Sequence, residues 1–304
     1  MRIFLTGATG YVGSAVLDAA LRAGHEVTAL VRDPEKAERV SSRGVHAVIG
    51  ELSKPASYSD QAEAADAIIH AAYEPSKRGP KVDRVTVDAL LAAAARRTAA
   101  GKAARLVYTS SVWVLGNTVG QATENAQLDP TPLSAWRLEH EALVQGGAQG
   151  AFSTAVVRPA IVYGGARGII GDMLKDSANG LVRVVGDGQN HWPCVYDRDL
   201  ADLYVRLAAQ PDASGVFHAN DEADERVADI VEAIARHAKM RPDVRHMPFA
   251  EARKKMGEYA DALALDQIVR SPRARAVGWS PTLHSVAANV PRLLEEFRAA
   301  REAA

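Results

Sequence analysis

Eight residues near the start, Thr6-Gly7-Ala8-Thr9-Gly10-Tyr11-Val12-Gly13, constrain this chain more than any others. They join a short apolar run, "RIFLTG" (2–7), to a helical pattern, "YVGSAVLDAALRAG" (11–24), that Gly24 closes. Gly7 permits a tight turn, Gly10 lets backbone come close to a ligand, and Gly13 lets the helix pack hard against the strand. The helix start then presents free N–H groups and a partial positive charge, which suits the diphosphate of a dinucleotide. Turns use glycine anyway, so the spacing alone is weak. At the first strand–helix junction of a parallel sheet it favours a dinucleotide.

The chain that follows has such a sheet written into it. "HEVTALVR" (25–32) reads as a second strand, with a charged helix beginning at Pro34. "VHAVIGEL" (45–52) and "DAIIHAA" (66–72) read as strands three and four. A long Ala-rich helix is expected from Val82 to Ala100, then strand five at "ARLVYTSS" (104–111). A helix carrying Trp136 precedes strand six, "STAVVRPAIVYG" (153–164), and "GVFHAN" (215–220) reads as a strand returning to the sheet. Continuously apolar, branched strands alternating with helices predict an α/β fold, a Rossmann-type doubly wound parallel sheet. The looser pattern after residue 165 predicts a smaller substrate-capping lobe. The expected division is 1–165 for the dinucleotide domain, rejoined by about 195–222, with 166–194 and 223–304 in the lobe.

Composition narrows the function. Lys plus Arg is 36 against 37 Asp plus Glu, a net charge of -1, so neither a nucleic acid nor an anionic membrane is an expected partner. The basic stretch "RSPRARAVGW" (270–279) reads as a solvated turn and helix face. A single cysteine, Cys194, excludes an intramolecular disulfide, fits a reducing compartment and reads as a small buried hydrophobe. No apolar run approaches the roughly 18 residues of a membrane helix. The opening residues enter a strand at once, so a cytoplasmic location is expected. No metal site is expected.

The second strand ends in Val31-Arg32-Asp33. A carboxylate there would accept hydrogen bonds from the adenosine ribose and repel a 2′-phosphate, whereas the Arg32 guanidinium would grip that phosphate with its fork of donors. Lys36, one turn into the helix, would add charge. NADP(H) is therefore the expected cofactor, with NAD(H) as the alternative.

These features together resemble the short-chain dehydrogenase/reductase superfamily, in its extended or atypical branch, which includes the NAD-dependent epimerase/dehydratase family. The resemblance rests on TGxxGxxG, "DAIIHAA", "VYTSSVWVLG", "RPAIVYG", "GDGQNHWPCVYDRDLADLYV" (186–205) and "RARAVGWSP" (273–281), and it covers nearly the whole chain. It implies a cofactor pocket of Thr6, Gly7, Thr9, Gly10, Tyr11, Val12 and Gly13, then Glu51 and Leu52, Ala71 and Ala72, Pro159 and Val162. It also implies a serine after strand five, here Ser111, that donates a hydrogen bond to a carbonyl oxygen. A tyrosine and a lysine spaced YxxxK on the next helix would complete the set.

Here the chain departs from the pattern. The tyrosine position falls on Trp136 and the lysine position on His140, and no tyrosine or lysine occurs between Val119 and Gly150. An indole N–H only donates, so Trp136 is no general acid or base. His140 is able to hold a proton, donate to the ribose or relay a proton, or else it is a packed helix histidine. Tyr73, after strand four, and Tyr163, at the end of strand six, are the next candidates for the acid, ahead of His191. Tyr73, Trp113, Trp136, Tyr163 and Trp192 are expected to line a moderately apolar cleft. The leading expectation is an oxidoreductase acting on a small carbonyl or alcohol substrate with a non-standard proton donor. The alternatives are a non-catalytic cofactor-binding sensor or regulator, and an isomerase or lyase that retains its cofactor. A homodimer through the Ala-rich helix and the Trp136 helix is expected by analogy of fold.

Overall fold

The computed structural model describes residues 1–147 and 152–302. These fall into two compact units, Met1–Ser110 with Trp136–Arg158 and Leu200–Phe217, and Ser111–Ala135 with Pro159–Asp199 and His218–Ala304.

The first unit is built on β1 (Arg2–Thr6), β2 (Glu26–Val31), β3 (His46–Ile49), β4 (Ala67–His70), β5 (Arg105–Thr109), β6 (Ser153–Pro159) and β7 (Gly215–Ala219). Among the described residues they form a seven-stranded sheet in the order β7-β6-β5-β4-β1-β2-β3. β1 pairs in parallel with both β2 and β4, β2 with β3, β4 with β5, and β5 with β6. The order reverses between β1 and β4, the switch point where open α/β sheets bind ligands beyond the strands' carboxyl ends. The intervening helices are α1 (Tyr11–Arg22), α2 (Pro34–Ser41), α3 (Ser59–Ala64), α4 (Gly79–Ala99), α5 (Trp136–Gly147) and α6 (Asp197–Ala209). α4 starts a turn before the expected Val82, because Pro80 takes a first-turn position where its missing N–H costs nothing.

Val87, Leu90 and Ala94 of α4 and Val144 of α5 pack with Phe4, Ile68, Leu106, Tyr108 and Val156 of the strands in one buried cluster. α5 is also pinned by charge. Arg158 of β6 donates from Nε and Nη2 to the two carboxylate oxygens of Glu141 at 2.9 and 2.6 Å, and both residues are buried. Ser110, just past β5, donates to the same carboxylate.

The second unit holds short two-stranded pairings. Gln121–Ala122 lies beside Ile268–Val269, Ile161–Tyr163 beside Cys194–Tyr196, and Leu181–Val185 beside Asp243–Met247, all parallel. Its core gathers Ile161, Tyr163, Ile170, Val184, Trp192, Ile230 and Phe297. Two expectations are corrected here. The run 153–164 is not one strand: Pro159 ends the main-sheet strand, and Ile161–Tyr163 leaves to pair with Cys194–Tyr196. The division at 165 also moves, because Ser111–Ala135 and the chain from Pro159 onward belong to the second unit through these pairings.

The bidentate pair on α5 has a measurable consequence. Glu141→Ala leaves the Arg158 guanidinium buried without its counter-charge, and stability to urea falls by about 3–5 kcal/mol. Adding Arg158→Met removes the orphaned cation and recovers most of that loss in the unfolding midpoint.

Candidate active site

The turn after β1 is closed by backbone alone. Gly10 N–H donates to the Gly7 carbonyl at 2.7 Å, and Gly7 sits at φ +80°. A Cβ on Gly7 would lie 2.7 Å from the Ala71 carbonyl oxygen, and one on Gly13 would lie 2.0 Å from the Gly7 carbonyl oxygen. Gly10 is the N-cap of α1, no side chain caps that end, and its first turn carries no acid. No side-chain cap competes with an anion at that end, and the cradle has the shape and polarity that a dinucleotide's diphosphate requires.

At the tip of β2, Arg32 is exposed and enters no ion pair among the described residues. Asp33 caps α2, accepting the Lys36 N–H at 2.9 Å and pairing with its Nζ at 3.0 Å. These contacts hold the Asp33 carboxyl below the usual carboxylate range. Lys36 thus neutralises Asp33, a task the sequence reading did not give it. Glu51 is exposed and pairs with Lys54, while the Leu52 carbonyl accepts from Tyr58 and Thr86. Ala71 and Ala72 border the glycine turn, and Ala72 N–H donates to Thr6 Oγ1 at 3.3 Å.

A buried polar network lies beyond Thr6. Thr6 Oγ1 is 2.6 Å from His70 Nδ1, and His70 Nε2 is 3.1 Å from Asp83 Oδ1. Asp83 Oδ2 is 2.7 Å from His140 Nδ1 and accepts the Tyr108 hydroxyl at 2.8 Å. Burial pushes the Asp83 carboxyl up, but hydrogen bonds from His140 and His70 outweigh it and hold the carboxyl well below its ordinary range. An ionised Asp83 only accepts, so His140 donates from Nδ1 and His70 from Nε2.

Trp136, half-buried one turn before His140, meets that imidazole edge-on at 5.0 Å. Its other neighbour is exposed Tyr73, stacked at 5.9 Å with the planes 11° apart. The Arg137 guanidinium lies 4.4 Å from the Trp136 ring centre and 5.5 Å from that of Tyr73, and it donates to the Thr109 carbonyl at 3.0 Å. Trp136, His140 and Tyr73 are thus brought together in the first unit, with Arg137, Asp83, His70 and Tyr108 around them.

In the second unit, Ser111 Oγ accepts the Trp113 N–H at 3.2 Å, capping a short turn, and its own hydrogen remains for another acceptor. Trp113 packs on Tyr259 at 6.2 Å. Tyr163 and Trp192 are not cleft-lining: both are core residues, with the Tyr163 hydroxyl donating to Asp221 and the Leu283 carbonyl, and the Trp192 N–H to the Leu263 carbonyl. Burial, then the Asp221 charge, drives the Tyr163 hydroxyl far above its ordinary range. His191 pairs with Asp266 at 2.8 Å. Pro159 is buried and Val162 half-buried.

Sequence reasoning passed over Asp83 and Arg137. Asp83 had a signal: it lies on the buried stripe of α4 with Val87, Leu90 and Ala94, where a carboxylate demands partners. Arg137 had none, because its ring contacts depend on the fold.

Fold, cradle and helix position together define a Rossmann-type protein of the short-chain dehydrogenase/reductase class. The chain belongs to the NAD dependent epimerase/dehydratase family, whose model matches residues 3–219. It is 27% identical over 93% of its length to an uncharacterized protein of Schizosaccharomyces pombe, covering 95% of that protein. It is 31% identical to the 4-hydroxy-2-methyl-3-oxo-4-farnesyl-3,4-dihydroquinoline-1-oxide ketoreductase of Stigmatella aurantiaca, over 54% of this chain and 51% of that one. Among solved structures, the UDP-glucose 4-epimerase of Thermus thermophilus in complex with NAD superposes with a TM-score of 0.82 at 19% identity, covering 99% of this chain and 100% of that one. No helix among the described residues is long and apolar enough to cross a membrane.

Two buried carboxyls of the second unit give a pH signature. Burial raises Asp221 to about 7 and Asp197 to about 6. The folded state therefore binds more protons than the unfolded chain above pH of about 4, and stability falls as pH rises to about 7. Urea midpoints measured across that window should decline steadily, and Asp221→Asn should flatten the upper part of the slope. A midpoint that climbs through the window contradicts the assignment.

Proposed function

We propose that this chain is an NADP(H)-dependent oxidoreductase that interconverts a moderately apolar carbonyl compound and its alcohol, with a proton donor other than tyrosine. The observation that carries this reading is the glycine-lined, uncapped start of α1 below a β2 tip ending in Arg32, which enters no ion pair among the described residues. A bound nicotinamide supplies or takes the hydride. Thr6 to Gly13 hold the diphosphate and Arg32 holds the 2′-phosphate, while Ala71 and Ala72 border the turn. Ser111, with its hydroxyl hydrogen unused by the Trp113 contact, donates to the carbonyl oxygen. The stacked Tyr73 and Trp136 favour an apolar substrate over a nucleotide sugar, whose diphosphate calls for arginines and polar groups. The ketoreductase relative supports carbonyl chemistry, as do family members that are oxidoreductases, epimerases and dehydratases.

A second reading, a cofactor-binding protein without turnover, is favoured by the indole at the tyrosine position. NADPH titration by fluorescence, combined with a panel of apolar ketones and aldehydes, separates the two: tight binding with no turnover selects the second. Arg32→Ala is expected to raise the NADPH Kd about tenfold, equivalent to about 1.4 kcal/mol, and to change the NADH Kd less than about twofold. Equal weakening of both dissociation constants would remove Arg32 from the 2′-phosphate.

A further inference from the structure

We propose that His140 and Asp83 form the acid–base dyad of this enzyme, with His140 Nε2 carrying the proton and Asp83 acting as its positioning residue. The proposal rests on the oxidoreductase reading and names the proton donor it left open. Asp83 accepts from three donors, His140 Nδ1, His70 Nε2 and the Tyr108 hydroxyl, at 2.7, 3.1 and 2.8 Å. That arrangement fixes the tautomer of His140 and turns Nε2 away from the carboxylate. Nε2 meets no hydrogen-bond partner among the described residues, and the side chain keeps 4% of its surface open. A ring held on one side by a buried carboxylate and left with one unengaged nitrogen has the form of a general acid–base group.

The groups surrounding it are compatible with that task. Asp83 faces the ring from α4, and Tyr108 of β5 and His70 of β4 meet the same carboxylate. From α5 itself, Trp136 closes one edge, the Arg137 cation stands over the indole, and Glu141 is already matched by Arg158. Arg84 and Glu139 pair with each other at the surface. A proton arriving at Nε2 therefore balances the charge of Asp83. In reduction, the Nε2–H bond breaks, its electron pair stays on nitrogen, and the O–H bond forms on the substrate oxygen as the nicotinamide's hydride reaches carbon. The ring returns neutral and takes its next proton from water. Oxidation runs the same transfer backwards.

The first test needs no turnover. In the full chain labelled with 15N-histidine and free of cofactor, long-range proton–nitrogen spectra of neutral His140 are expected to show the proton on Nδ1. Asp83→Asn should release the ring from that form. A proton on Nε2 in the wild type, or an unchanged spectrum in Asp83→Asn, overturns the proposal.

The second test uses His140→Asn, which keeps a donor for Asp83 where Nδ1 stood and removes Nε2, so the fold is spared. Its kcat is expected to drop about 10²–10⁴-fold with the NADPH Kd within about twofold. A kcat within about threefold, or a tenfold rise in NADPH Kd at unchanged kcat, makes His140 something other than the acid and overturns the dyad. Asp83→Asn should also move the alkaline limb of the pH–rate profile for carbonyl reduction to lower pH by about one unit or more, which loss of structure alone does not do. If no carbonyl is turned over by the wild type, the oxidoreductase reading fails, and the spectra still decide whether Asp83 sets the ring.

Discussion

Between α1 and the turn that follows β1 there is no room for a methyl group. A Cβ on Gly13 would stand 2.0 Å from the Gly7 carbonyl oxygen, and one on Gly7 would meet the backbone of Ala71. That close approach seats the first turn of α1 directly beyond β1, at the switch point of the sheet, with no side chain capping it. The same turn begins with Thr6, whose hydroxyl accepts the Ala72 N–H and reaches His70. The diphosphate cradle and the buried network thus share a residue. Widening the α1 contact would displace both.

Two buried carboxylates meet donors on α5 or come from it, and they solve the cost of burial differently. Glu141 faces a permanent cation in bidentate geometry, so the pair is neutral and each oxygen is matched. Asp83 has hydrogen bonds from two imidazoles and a phenol among the described residues, and the Arg137 cation acts at longer range. The first arrangement suits a structural clamp. The second suits a site where a proton comes and goes.

Much of the architecture was legible because it depends on short-range patterns. The glycine spacing, the branched apolar runs and the alternation with helical stretches each follow from neighbours within a dozen residues, and the sheet from β1 to β6 obeys them. What could not be read depends on distant partners. "STAVVRPAIVYG" looks like one strand until Cys194–Tyr196 draws its last residues away, and Pro159 is the local reason the break falls where it does. Tyr163 and Trp192 read as open aromatics because aromatics near loop ends carry no mark of burial, yet both lie in a core. That Trp136 and His140 stand four apart on one helix was plain in the sequence. The partner of His140 was not, because Asp83 lies 57 residues away.

The indole at position 136 sets what that position contributes. Trp136 brings no titratable proton, but it supplies a broad apolar plane that Tyr73 extends by stacking and Arg137 covers from above. A guanidinium against two π-faces is held by the ring quadrupoles and by the Thr109 carbonyl, and among the described residues it forms no direct ion pair. The indole edge also restricts the His140 ring, which is already gripped by Asp83. Rigidity on two sides leaves the imidazole one usable atom, and a fixed donor needs little rearrangement when a proton moves. In the proposed dyad, acid–base capacity rests one helical turn along α5 from Trp136, at His140.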